Sequence, residues 1–494
     1  MIETNTSLKQ ELNLFDSTLI VIGSMVGSGI FIVSADISRT LGSPLYLILV
    51  WVLTGIVTLM AALSYGELAG MMPKAGGQYV YLRESYNPLV GFLYGWTLFL
   101  VIQTGTIAAV AIAFAKFTAV LYPWFAEKNI LFSLGFLHIS SNQCLAVFSV
   151  ILLTYINTRG VKTGKWIQMI FTLAKTTALV GLILLGIFLG KNASAFEANF
   201  THFWQSPFSI LKTDLGLVLV NLKGQALWIA FGGAMVGSLF SSDAWNNITF
   251  TAGEVKNPSR NIPLSLFLGT LIVTLIYVLV NISYLMVLPI SGNPQSATVL
   301  GRGIMFATDD RVATASSFMI FGPVAVLIMA VLIMVSTFGC NNGLILSGAR
   351  VYYAMAKDQL FFPQAAKLNK KSVPAFALII QGVWTCLLCF SGGYSALLDY
   401  VIFAVLIFYI LTVAGIFILR VKQPNAVRPY KAWGYPVVPV LYILFATIIA
   451  LDLLIVKWET SRWGALIVLM GIPVYFMSKS YFGKKNSGNS LTDH

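Results

Sequence analysis

Three glycines and two serines fall within seven residues at Gly23-Ser24-Met25-Val26-Gly27-Ser28-Gly29, inside a long apolar run. Glycine in a helix costs about 1 kcal/mol relative to alanine, so this concentration permits a helix to unwind. In a bilayer, unwound backbone persists only where it lines a cavity or is buried in protein. The N–H groups freed there, with the positive end of the half-helix that follows, suit an anionic group such as a carboxylate. Close helix–helix packing through small residues explains the glycines equally well.

A second interruption weighs against packing alone. It reads Gly232-Gly233-Ala-Met-Val-Gly237-Ser238-Leu-Phe240-Ser241-Ser242-Asp243-Ala-Trp245 and carries a carboxylate within an apolar segment. An acid near mid-membrane costs about 2.5–3.5 kcal/mol on insertion scales and is a functional hypothesis by default. Paired interruptions in two halves of a chain point to a transport site at a repeat interface. Lys175, in Ile170-Phe-Thr-Leu-Ala-Lys175, lies too deep in its run for easy snorkelling. Its ammonium can stand where a coupling cation would otherwise bind, against carbonyls of an unwound helix; the alternative is a lysine that reaches an interface. Lys116 lies near the outer end of its run, where snorkelling suffices.

Other candidate chemistry is thin. Cys386 and Cys389 form a C-x-x-C pattern without charged neighbours, and Cys144 and Cys340 also fall in apolar stretches, so packing is expected, with neither disulfide nor metal. His138, His202 and His494 lie outside the apolar runs and far apart, and no acid–base or metal-ligand cluster accompanies them. No enzyme, metal or cofactor is expected. A channel would need a continuous polar lining, which isolated breaks do not supply.

The elements that must hold these residues are membrane spans. The chain has 494 residues, 57% hydrophobic and 10% charged, where soluble domains carry roughly 25% charged residues. The apolar runs are continuous, not alternating, which favours helices over a barrel. Twelve are expected, at 15–40, 44–71, 88–120, 143–158, 166–190, 223–252, 262–289, 319–355, 374–391, 395–419, 433–456 and 463–482. Net charge is +13, but the basic residues sit in short loops, where they set orientation. Loops on one side carry roughly twice as many Lys and Arg as those on the other, which places both termini in the cytoplasm. The first run is read as a retained helix, not a signal peptide. Sequons at Asn192 and Asn199 are read as chance occurrences.

These residues and the loop motifs resemble the amino acid–polyamine–organocation superfamily, in its L-type amino-acid transporter branch and bacterial relatives. The motifs are Gly27-Ser-Gly-Ile-Phe31, Tyr65-Gly-Glu-Leu-Ala69, Pro73-Lys-Ala-Gly-Gly-Gln-Tyr-Val-Tyr-Leu82 and Gly91-Phe-Leu-Tyr-Gly-Trp96, then Glu254-Val-Lys-Asn-Pro-Ser-Arg-Asn-Ile-Pro263, Ala349-Arg-Val-Tyr-Tyr-Ala-Met-Ala-Lys-Asp358 and Arg428-Pro-Tyr-Lys-Ala-Trp-Gly-Tyr-Pro436. The resemblance implies an all-α integral membrane fold of twelve transmembrane helices. Spans one to ten would form a LeuT-like 5+5 inverted repeat with helices one and six broken, and two helices would be peripheral. The expected divisions are a cytoplasmic segment 1–14, a first repeat 15–190, an extracellular loop 191–222, a second repeat 223–420, helices eleven and twelve over 421–482, and a tail 483–494.

The resemblance also implies a substrate site. Backbone amides around Ser28, Gly29 and Ile30 would hold a carboxylate, with Gly27 in the same break; carbonyls near Met25, Phe240 and Asp243 would hold an amine, with Ser241 and Ser242 alongside. Phe240 matches an aromatic that closes over substrate. Lys175 matches the fifth-span lysine of sodium-independent members, and Ser336 and Thr337 match the segment facing it. Asp243 stands where many L-type members have glycine, and three roles stay open: pairing a cationic side chain, proton coupling, or ordering the unwound backbone. Gln103 and Phe403 are taken as side-chain selectivity positions from helix position alone. Residues 121–142 lack the cysteine that links heteromeric animal members to a heavy subunit, so no disulfide-linked partner is expected. The function implied is sodium-independent amino-acid transport across the plasma membrane, by exchange or proton coupling, with a polyamine or amine antiporter as the alternative.

Overall fold

The computed structural model describes residues 10–134, 137–213, 216–391 and 394–489. Helix α1 (Leu14–Met25) starts at a capping box, in which Asn13 accepts the Asp16 N–H and Asp16 accepts the Asn13 N–H. Reciprocal bonds of this kind satisfy two donors that a helix N-terminus otherwise leaves orphaned. It gives way after Met25 to α2 (Gly29–Leu41), bent from it by 42°. Then come α3 (Pro44–Met71), α4 (Gln78–Ser85) and α5 (Pro88–Thr97), which runs through a π-helical turn at Leu98–Ile102 into α6 (Gln103–Leu121). Helices α7 (Ser141–Thr158) and α8 (Val161–Phe188) complete the first half, and α9 (Ala193–Phe200) lies in the loop beyond.

The second half opens with α10 (Gly224–Ser241), the short α11 (Asn247–Phe250) and α12 (Pro258–Val287). Two loop helices follow, α13 (Val299–Arg302) and α14 (Val312–Phe321), before α15 (Val324–Lys357), α16 (Ala375–Cys389) and α17 (Tyr394–Lys422). Helices α18 (Val437–Val456) and α19 (Trp458–Asn489) end the chain. Two antiparallel hairpins decorate the loops: β1 (Ile130–Leu134) with β2 (Leu137–Ser140), and β3 (Phe208–Thr213) with β4 (Gly216–Asn221).

Among the described residues, nine helices are long and apolar enough to cross a membrane, or ten if α1 and α2 count as one bent span. The other two expected segments are helical, as α7 and α16, but α16 is only 15 residues long and α7 opens on Ser-Asn-Gln. The chain is thus a mostly helical, multi-pass membrane protein. Three details depart from the expected segments. The eighth run divides, because Gly322 takes a left-handed φ of 68° and Pro323 follows it, so α14 is separate from α15. The sixth run is not interrupted at its glycines: α10 passes through Gly232, Gly233 and Gly237 and stops only at Ser241. Gly232 and Gly237 act by close packing, while Gly233 has room for a Cβ. A Cβ on Gly237 would collide with Val33, and one on Gly232 with Asp452. The hairpins are a third addition, in loops that no period-2 reading had marked.

Asn199 is fully buried, donating to Leu285 O at 2.7 Å and Leu288 O at 2.8 Å and accepting from Ile290 N at 2.8 Å. A side chain so engaged offers no amide for a glycan, in keeping with a chance sequon.

Helices pack in pairs across the two halves. α2 lies on α10, α3 on α12, α6 on α15 and α7 on α16. The core is therefore an interleaved bundle, and the first break sits at its centre.

Candidate functional site

Between α1 and α2 the backbone leaves helix for three residues. Val26 has ψ 87°, and the Gly27 N–H turns back onto Met25 O at 2.9 Å. α2 starts at Gly29 without a side-chain cap, and the first N–H groups of a helix have no intrahelical partner. The break thus presents carbonyls on one side and the amides of Gly29 and Ile30 at the start of the next half-helix.

Lys175 from α8 fills the carbonyl side. Its Nζ donates to Gly23 O and Val26 O, both at 2.6 Å, and reaches Ser336 O at 3.5 Å. The side chain is 1% exposed. Charge-assisted bonds of this length are roughly twice as strong as neutral ones, and they compensate an ammonium removed from water. Ser336 Oγ adds contacts to Val26 O at 3.3 Å and Gly27 O at 3.4 Å, and Cys340 Sγ lies 3.1 Å from Ser24 O. Thr337 does not join them, since its hydroxyl bonds back to Ile333 O at 2.8 Å within α15.

The two interrupted segments touch. A Cβ on Gly29 would overlap the Ser241 side chain and come within 3.1 Å of its Cα. Both half-helix ends are joined by a residue that the sequence did not single out. Tyr277 of α12 places its hydroxyl 3.1 Å from Met25 O and 2.9 Å from Ser241 O, the last carbonyls of α1 and α10. The Met25 carbonyl expected to face an amine is therefore engaged within the protein. Two helical turns on, Tyr284 OH reaches Ile30 O at 3.3 Å. Nothing in local composition distinguishes these tyrosines; a seven-residue spacing on a span is the only available signal.

After Ser241 the chain turns through Ser242, Asp243 and Ala244, the last at a left-handed φ of 64°. Phe240 is buried with its carbonyl accepting the Asp243 N–H at 3.1 Å. The Asp243 carboxylate accepts Tyr409 OH at 2.6 Å. Among the described residues no Lys or Arg pairs with it. It faces a narrow cavity shared with Gln103, Thr106, Asn246 and Val405. A second small cavity on its other side includes Ser242 and Trp245. Tyr65, Trp245 and Tyr409 stack edge-to-face or tilted around this point, with ring centroids 4.7–5.8 Å apart. From α17, Val405 and Tyr409 line the cavity, and Phe403 does not. Gln103 does line it, while donating to Leu344 O at 2.7 Å. It follows the π-helical turn at once; such turns occur frequently at functional sites.

One face of the bundle is closed by ionic contacts. Glu67, 1% exposed, takes Arg420 in a two-pronged pair at 3.0 and 2.7 Å, meets Arg428 at 3.3 Å and accepts Ala432 N–H at 2.7 Å. Glu254 and Arg350, both fully buried, pair at 3.0 Å. Asp358 receives Tyr79 OH at 2.8 Å and the Arg83 guanidinium. Burial, with Asp358 alongside, pushes the Tyr79 phenol above its ordinary value, so it stays a donor. Gln78 links Asn246 at 2.9 Å to Thr412 at 3.0 Å. The N-terminal segment joins the same face: Leu12 forms a parallel bridge with Val255, and Glu11 and Leu12 donate to Glu254 O at 2.9 Å. On the opposite face Arg39 binds Asp310 at 2.6 Å and Met305 O at 2.7 Å.

A multi-helix bundle whose first span is unwound at its centre, with a lysine seated on the exposed carbonyls, defines a membrane transport protein. The chain belongs to the amino acid permease family, whose model matches residues 12–477. It is 31% identical over 477 residues to the mouse large neutral amino acids transporter small subunit 2, covering 95% of this chain and 81% of that one. It is 28% identical over 481 residues to the human b(0,+)-type amino acid transporter 1, covering 96% and 89%. It is also 28% identical over 479 residues to the serine/threonine exchanger SteT of Bacillus subtilis, covering 96% and 98%.

Proposed function

We propose that this protein carries amino acids across the plasma membrane by alternating access without sodium. The observation that carries the reading is the Lys175 ammonium on Gly23 O and Val26 O. A monovalent cation bridging an unwound first span to α15 would need the same carbonyls, so a tethered ammonium makes a diffusible one unnecessary. The amides of Ser28, Gly29 and Ile30 receive the substrate carboxylate, because they begin a half-helix whose positive end faces the break. Phe240 and the turn through Ser241 to Asp243 lie on the other side of that space and receive the amine and the side chain. The names of the relatives, transporters of large neutral amino acids and an exchanger of serine and threonine, agree in substrate class.

The wider architecture follows the same reading. Twelve spans, with α7 and α16 as the fourth and ninth, form two inverted five-helix repeats and a peripheral pair; the pairwise packing of α2 on α10, α3 on α12, α6 on α15 and α7 on α16 is what a twofold relation between halves produces. Both termini lie in the cytoplasm, where the Glu67, Glu254 and Asp358 contacts form the inner closure. No disulfide-linked heavy subunit is required.

Proteoliposomes preloaded with unlabelled amino acids test this. Labelled amino acid should accumulate by exchange in sodium-free buffer, and Lys175→Met should lower the initial rate by at least about tenfold, the effect of some 1.4 kcal/mol. A sodium requirement in the wild type would remove the role given to Lys175. Uptake driven by a pH gradient and indifferent to preloading would replace exchange with proton symport. Asp243, buried against Tyr409 with no cationic partner among the described residues, favours a second reading in which cationic substrates are accepted. Asp243→Asn should then depress lysine uptake more than alanine uptake; equal losses would discard it.

A further inference from the structure

Away from the break, a groove of about 730 Å³ opens where α3, α12 and the loop before α18 meet. Its walls are Leu59 and Leu63 of α3, Leu264 and Phe267 of α12, and Tyr430 and Trp433 of the loop. Arg260 and Lys431 stand at one end. Both are exposed, and neither has a carboxylate partner among the described residues. Elsewhere on this face Arg83 and Arg350 meet Asp358 and Glu254, and Arg420 and Arg428 share Glu67. The groove is therefore apolar along its length and carries two uncompensated charges at its mouth.

That distribution matches a two-part ligand. Arg260 to Phe267 is two turns of helix, about 10 Å at 1.5 Å per residue, the depth of an interfacial head and the first part of an acyl chain. Beyond Phe267 the same helix keeps Leu275 and Leu279 exposed, 54% and 42%, so the apolar path continues into the bilayer. Trp433, 68% exposed, lines the same groove two residues from Lys431, and amphipathic rings of this kind favour the headgroup region. Basic pockets between spans on the cytoplasmic side of a membrane are suited to anionic lipid heads.

We propose that this groove is a binding site for one anionic phospholipid of the leaflet on the Arg260 side. Its phosphate is held by Arg260 and Lys431, and its chain lies on Leu63, Leu264 and Phe267. The site has a route to the inner closure. Pro429, Tyr430 and Lys431 line it, Tyr430 packs on Gly66, and Ala432, which follows Lys431, donates its N–H to Glu67. Occupancy steadies the loop that Glu67 and Arg420 hold.

The full chain is reconstituted in phosphatidylcholine vesicles containing phosphatidylglycerol, with bromine-labelled acyl chains on one lipid or the other. Quenching of Trp433 is isolated by difference from Trp433→Phe. Brominated phosphatidylglycerol should quench Trp433 several-fold more than brominated phosphatidylcholine at equal mole fraction. Arg260→Gln with Lys431→Gln should remove that preference, and Arg260→Lys should keep it. Equal quenching by the two lipids in the wild type overturns the site, whatever becomes of the variants. So does a preference that survives the double substitution. Inorganic phosphate should leave quenching unchanged; if it abolishes the preference, the mouth is a free-anion site and the lipid is refuted.

Discussion

Tyr277→Phe isolates the hydroxyl that joins the two half-helices. The ring stays, with its edge-to-face contact to Trp51 at 5.3 Å, so the loss is confined to hydrogen bonding. Met25 O, 3.1 Å away, keeps the Gly27 N–H. Ser241 O, 2.9 Å away, ends α10, where no further helical N–H is available. One buried acceptor is thus left short, at a cost of about 1–3 kcal/mol. The hydroxyl meets both carbonyls only while the ends of α1 and α10 stand together, so the cost falls on that arrangement and not on the one in which they have moved apart. A coupling of about 1–3 kcal/mol changes such an equilibrium roughly 5–150-fold. Exchange of labelled amino acid in proteoliposomes and thermal unfolding of the purified protein should be measured together. The expected result is an exchange rate altered at least about fivefold with a lowered melting temperature. Wild-type exchange with wild-type melting would refute the idea that this hydroxyl matters to either state.

Two further substitutions read other contacts. Gly29→Ala places a methyl against Ser241 and should reduce exchange at least about tenfold, a loss equivalent to 1.4 kcal/mol, while Gly181→Ala, whose Cβ meets nothing within 4 Å, should leave the rate unchanged. Arg350→Ala leaves Glu254 as an uncompensated buried charge and should cost about 3–5 kcal/mol, seen as loss of folded protein in size-exclusion profiles, with Glu254→Gln and Arg350→Met together recovering most of it. Equal losses for the single and double variants would show that the pair contributes something other than mutual neutralisation.

The parts of the site that were legible in sequence are those that violate a local rule. Glycines crowded at 23–29 and a lysine inside an apolar run are improbable unless something compensates them, and the structure puts Lys175 on the very carbonyls that the glycines expose. Where local reading failed, the physics was long-range. Tyr277, Tyr284 and Tyr409 look like ordinary span residues, and their roles arise from hydrogen bonds between helices distant in sequence. Gly232, Gly233 and Gly237 satisfy the same rule as the first cluster, yet they lie in continuous helix, where Gly232 packs on Asp452 and Gly237 on Val33. Asp452 lies within a very apolar run; its buried Oδ2 has no hydrogen-bond partner among the described residues, and nothing in the structure explains its presence. Two of the twelve expected segments, α7 and α16, are helical but fall short of a membrane span by polarity or length.

The bridge between Leu12 and Val255 has a consequence for how the molecule is made. Residues 11 and 12 are synthesised well ahead of their partners Glu254 and Val255, with helices α1 to α10 between them. Until then the Glu11 and Leu12 amides lack the Glu254 O acceptor that they later bind, and the start of α1 is without this anchor. Closing so long a loop is entropically costly, though the cost grows only slowly with length. A chain that stops before residue 254 therefore lacks this fastening of α1. The bridge can close only once α10 has been made, so changes that disturb residues 10–12 act on a contact between distant parts of the chain.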